Sequence, residues 1–179
     1  MSIYMNKSLY YSSAIVGAII LFISLGFYNS QLSFLYSITY IGIMTSILNH
    51  GTTSYAIKYT DRFVLVLSFL VYTYYAFFIS SNVIKISIFV LLGISVLCYL
   101  LCKLIISLSY TDLFELPVNQ ISNTLHMTSH FVVLSIFILI HYGYDKGIIG
   151  EPSKQISTMY KKIQSTISPY MNIPFVTFS

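Results

Sequence analysis

Long apolar runs separated by short polar breaks dominate this chain, and their lengths predict its elements. The runs cover about 13–27, 32–50, 63–79, 84–108 and 122–142. A helix needs roughly 17–25 apolar residues to cross a hydrocarbon core about 30 Å thick, so the pattern predicts five membrane-spanning helices. Asn29-Ser30-Gln31 and Ser80-Ser81-Asn82 are breaks so short that each joins antiparallel neighbours in a helical hairpin. Lys7 and the small residues of Ser24-Leu25-Gly26 give the first run some signal-peptide character. With four more spans behind it and no good cleavage site, it is expected to be a retained helix. An odd number of spans places the two termini on opposite sides.

The pattern changes after Gly143. Ile156, Met159, Tyr160, Ile163 and Ile167 recur at helical spacing behind Pro152, with Lys154, Lys161 and Lys162 on other faces. This predicts an amphipathic helix lying in the membrane interface. The expected organisation is an all-α transmembrane bundle over 1–143 and an interfacial tail over 144–179, which is not a separate domain.

Composition agrees with a bilayer as solvent. The 179 residues are 56% hydrophobic and only 8% charged, against roughly 25% charge in a soluble domain. The chain is therefore expected to be a multi-pass integral membrane protein. Its net charge of +4 is scattered, and no basic run offers a nucleic-acid face. Lys85 and Lys103 bracket seventeen uncharged residues of the fourth run and can snorkel to the two interfaces. Lysines and arginines divide almost evenly between the sides, and the tail lysines favour a cytoplasmic C-terminus slightly. Cys98 and Cys102, four apart in an apolar helix, read as packing residues rather than as a disulfide or metal pair. His141, at the far end of the fifth run, reads as an interfacial residue.

The remaining polar residues gather in a way that suggests chemistry. His126 and His130 are four apart and stand about 40° apart around a helix axis, so both imidazoles can reach one point. Neutral imidazole is a good zinc donor, and such a pair supplies two ligands from one rigid element. Each span reverses the chain, which tests whether further ligands arrive at the same face. The second helix delivers Ser46 and His50 to the side on which the chain began, the third leaves that side at Asp61, and the fifth leaves it at His126 and His130. A miscount of one span would have separated Asp61 from the histidines by most of the bilayer. Zinc held by His50, His126 and His130 would keep its fourth position for water, the open arrangement of catalytic zinc. Asp61 is then the candidate proton acceptor and Ser46 the candidate donor to an oxyanion. The competing reading is that these groups only staple helices two, three and five together. Ionisable groups within spans are costly, roughly 2.5–3.5 kcal/mol each on insertion scales, and tend to be functional.

In this order the residues resemble the signature of the membrane hydrolase superfamily that includes alkaline ceramidases, progestin and adiponectin receptors and Per1-type proteins. Ser46-Ile47-Leu48-Asn49-His50 stands for its Ser-x-x-x-His, Asp61 for its aspartate, and His126-Met127-Thr128-Ser129-His130 for its His-x-x-x-His. The interval of eleven from His50 to Asp61, and Thr52 two residues after His50, look more like the alkaline ceramidase branch. The resemblance covers 40–70 and 122–132. It implies a zinc-dependent lipid amidase acting on a ceramide-like membrane lipid, in a reduced form, since that family has seven spans and five are read here. The family's alkaline ceramidases also carry an acidic calcium site near the N-terminus, whereas the first acidic residue here is Asp61.

The expected function is intramembrane hydrolysis of a lipid amide or ester. The alternative is a non-enzymatic scaffold or lipid-binding protein with a structural metal site. A diiron desaturase needs about twice the four histidines present, and a channel or transporter has no charged residue near the midplane to support it.

Overall fold

The computed structural model describes residues 6–52, 54–109 and 118–150. Five helices account for nearly all of them: α1 (Lys7–Gly26), α2 (Ser33–Gly51), α3 (Tyr55–Phe77), α4 (Asn82–Ser109) and α5 (Val118–Asp145), with one 3-10 turn, Ser30–Leu32, between the first two. The protein is an all-α helical bundle. The expected tail helix, together with Asp112, Glu115 and Pro117, lies outside the described residues.

Local chemistry sets the ends of the helices. Asn6 caps α1, its side chain accepting from Leu9 N, and Asn29 caps the 3-10 turn by accepting from Gln31 N. At the end of α5, Gly147 takes φ 63°, a conformation that a Cβ disfavours. Ile148 N donates to Gly143 O at 2.8 Å and Gly147 N to Tyr144 O at 3.2 Å, the paired bonds of a Schellman stop. The chain then turns back onto the α3–α4 connection. There Ser80 N donates to Ile148 O at 3.0 Å and Gly150 N to Phe78 O at 2.8 Å. Residues 144–150 are thus pinned to the bundle.

The outward surface is the apolar one. Phe22 is 72% exposed, Leu25 73% and Val83 76%, while Ser12, Ser13, Ser24, Thr39, His50 and His141 are buried. Lipid is the solvent that tolerates this inversion. Four helices, α1, α2 with its preceding turn, α4 and α5, are long and apolar enough to cross a membrane. α3 is the exception to the five-span expectation. Its 23 residues would extend about 35 Å, which is sufficient length. The helix begins at Tyr55 rather than near 63, however, so Lys58, Asp61 and Arg62 lie within its first turns and dilute its apolar character.

The helices form an arc in the order α4, α5, α1, α2, α3, each packed mainly on its neighbours, while α3 meets α4 and α5 only sparsely. Ile20, Leu35, Ile88, Ile136 and Phe137 fill the core. His141 lies near the end of α5. It is buried, with Nε2 2.8 Å from Phe27 O at the end of α1, so it closes an exposed carbonyl where a helix ends.

At one point α1 and α2 approach closely. A Cβ on Gly17 would lie 2.7 Å from Cγ2 of Ile43, a branched atom with little freedom to yield. Gly17→Val is expected to destabilise the bundle by about 1–3 kcal/mol. Gly93→Ala on α4, where nothing stands within 4 Å, should be neutral or slightly stabilising. Denaturant unfolding in detergent micelles measures both.

Candidate metal centre

Cross-helix hydrogen bonds fix the depth of each helix at one end of the bundle. Asn6 Nδ2 donates to Asn123 Oδ1 at 2.9 Å, and Asn6 N donates to His50 O at 3.1 Å, so α1, α2 and α5 are level there. From Asn123, one turn along α5 reaches His126 and a second reaches His130. His50 closes α2 beside them.

The three histidines come together. One ring nitrogen from each lies within 4.8 Å of the others. Ring centroids are 4.9 Å apart for His50–His126 and His126–His130, and 5.8 Å for His50–His130. His50 is buried and its Nε2 has no hydrogen-bond partner. A buried polar atom without a partner is uncommon and is the kind of group that an ion or a water satisfies. Three neutral imidazoles are also a donor set that zinc accepts. The triad therefore fits a divalent metal on both geometry and chemistry.

α1 contributes residues that the motif did not include. Ser12 Oγ donates to Leu9 O at 3.0 Å, leaving its oxygen to accept from His130 Nδ1 at 2.9 Å. That arrangement puts the His130 proton on Nδ1 and frees the Nε2 lone pair. Orientation of this kind is what outer hydrogen bonds supply to metal-binding histidines. Ser13 likewise donates to Leu9 O at 3.0 Å, and its oxygen stands 3.1 Å from Ser46 Oγ. Asn49, one residue before His50, donates through Nδ2 to Asp61 Oδ2 at 2.8 Å and ties α3 to α2.

A cavity of about 570 Å³ opens beside the triad, and Ser46, Asp61, His126 and His130 all line it. His50 stands behind the other two histidines. Every residue singled out in the motif is thus at the site, three as a tight cluster and two on the wall of the adjoining cavity.

No protein-family model, curated protein or solved structure matches this chain. Its chemistry therefore has to be argued from the site itself. Ser12, Ser13, Asn6 and Asn49 had no distinguishing sequence signal. A serine in an apolar helix can satisfy itself on its own backbone, and only packing reveals which ones reach across.

Titration with zinc is expected to saturate at about one ion per chain, and His126→Ala should abolish binding. Ser12→Ala should weaken affinity about 10–100-fold while leaving the thermal midpoint of metal-free protein nearly unchanged. Competition against a chromogenic chelator measures the affinities.

Proposed function

We propose that this chain is an intramembrane zinc-dependent hydrolase of a lipid amide or ester, a reduced relative of the alkaline ceramidase branch, with ceramide among its candidate substrates. One observation carries the reading: a three-histidine cluster, buried at His50 and half-buried at His126 and His130, stands beside a mostly apolar cavity that also holds a carboxylate and a hydroxyl. Stapling helices would require the polar groups, but not a cavity next to them.

Zinc held by His50, His126 and His130 would supply a Lewis acid that polarises the carbonyl and lowers the pKa of water toward 7. The protein residues divide the remaining work. Asp61, held by Asn49 through Oδ2, accepts a proton from the attacking water. The same carboxyl then returns that proton to the leaving amine or alkoxide, so water and the lipid yield a carboxylic acid and an amine or alcohol. Ser46 donates to the developing oxyanion, for which its hydroxyl must turn away from Ser13. The apolar walls hold the acyl chain and exclude bulk water.

A second reading draws on the hydrogen bonds themselves. Asn49–Asp61, Asn6–Asn123 and Ser12–His130 join helices, as they would in a scaffold with a structural metal. The two readings separate on Asp61→Asn. As an enzyme, the variant keeps its zinc and loses about 10²–10⁴-fold of its turnover, followed by release of fatty acid from ceramide and from simple acyl esters. Zinc-dependent thermal stability with no lipid consumed by the wild type would favour the scaffold.

A further inference from the structure

The motif residues account for only part of the cavity wall. Lys58 and Arg62 from α3 and Lys103 from α4 also line it. They come from the two helices that flank the loosely closed side of the arc. Each leans on a tyrosine of its own helix. Lys58 Nζ lies 5.5 Å from the Tyr55 ring centre, the Arg62 guanidinium 5.7 Å from that of Tyr59, and Lys103 Nζ 5.5 Å from that of Tyr99. A tyrosine ring attracts a cation without neutralising it. Among the described residues the one salt bridge joins Lys146 to Asp145, and Asp61 is the one acid on the cavity wall. Among the described residues, three cations against one carboxylate leave a positive surplus in a low-dielectric cleft, where the potential is concentrated.

Depth gives this surplus a chemical meaning. Cys102 Sγ lies 3.0 Å from Ser122 Oγ, so Lys103 is level with the start of the Asn123 turn, about one turn outward of His126. Lys58 is nearly one turn outward of Asp61 on α3. Inward of the histidines the wall is mostly apolar, with Val16, Ile43, Phe69, Val96 and Val133, interrupted by Ser68 and Ser95, and the lining reaches Thr39 and Tyr72, whose hydroxyls are 3.0 Å apart. From Asp61 to Tyr72 is about 16 Å of helix, close to half of a hydrocarbon core about 30 Å thick and so to the length of one lipid tail. The order from the membrane face inward is Lys58 and Lys103, then Arg62 at the depth of Asp61 and the histidines, then a mostly apolar space one tail deep.

We infer that the cavity takes a single-chain lipid whose head carries an anionic group, with that group between Lys58, Arg62 and Lys103 and the acyl chain running inward past His126 and His130. The inference rests on the hydrolase reading for the place of the scissile bond, but the binding itself does not depend on hydrolysis. It narrows the substrate class from lipid amides and esters in general to monoacyl lipids with a phosphate or carboxylate head, and so favours them over ceramide, which has two chains and no anion.

Ether-linked dodecylglycerol phosphate and dodecylglycerol cannot be hydrolysed and differ only in the anion. Their dissociation constants are measured by calorimetry on the full chain in neutral detergent, with zinc and again after chelation. The phosphate is expected to bind roughly tenfold tighter or more in both states. K58Q/R62Q/K103Q should bring the two lipids within about twofold, while K58R/R62K/K103R retains the preference, which separates loss of charge from loss of fold. Equal binding of the two lipids, or a preference surviving in the glutamine variant, overturns the inference. Inorganic phosphate competing at the same concentration as the lipid phosphate would also overturn it, in favour of a free-anion site. A chain that binds the anionic lipid but consumes none leaves this site standing and removes the hydrolase reading alone.

Discussion

A polar group inside a lipid-facing bundle has no water to turn to, so it must find its partner on another helix or on its own backbone. This constraint organises one end of the molecule. Asn6 bonds to Asn123 and to the carbonyl of His50, Ser12 reaches His130, and Ser13 reaches Ser46. Each bond forms only at one relative depth of two helices. Together they set the register of α1 against α2 and α5, and that register brings three imidazoles from two helices into one cluster. α1 supplies none of the three histidines, yet it is the helix that aligns the other two.

The two ends of the bundle serve different purposes. At the end away from the histidines, partners are close and closed: His141 takes the Phe27 carbonyl, Ser24 pairs with Tyr40, and the turn after α5 is pinned to the α3–α4 connection. At the histidine end α3 is held to α2 by Asn49–Asp61 while meeting α4 only sparsely. A bundle fastened at one end and along one side of the other leaves a wedge between α3 and α4. The cavity occupies that wedge, which explains why its wall draws on α3 and α4 as well as on the helices carrying the motif.

Much of this was legible in the sequence because two signals survive without coordinates. Apolar run length located the helices, and counting reversals put Ser46, His50, Asp61, His126 and His130 at one end, where the structure also has them. What was not legible depended on rotation and tilt. Ser12 and Ser13 look like any hydroxyls in an apolar helix, and nothing in spacing distinguishes a serine bonded to Leu9 O alone from one that also reaches His130. The end of an apolar run gives no sign that the His141 ring is buried against the Phe27 carbonyl. Charge at Asp61-Arg62 reads as the opening of a span near 63, while α3 begins at Tyr55. Lys58, Asp61 and Arg62 instead sit within the helix, where tyrosine rings and the cavity accommodate them.

The same wedge bears on how few helices such a site needs. Under the proposed function, every group assigned to chemistry comes from α2, α3 and α5, with α1 orienting them and α4 completing a wall. The seven-span proteins that the motif resembles have two more helices to place around a substrate. Here the side between α3 and α4 is closed only loosely, and in a bilayer that side would face hydrocarbon. A lipid substrate is already dissolved in that solvent. An incomplete wall would therefore admit the acyl chain sideways while the cations above and the histidines beside it set its depth, and a smaller frame loses enclosure before it loses the centre.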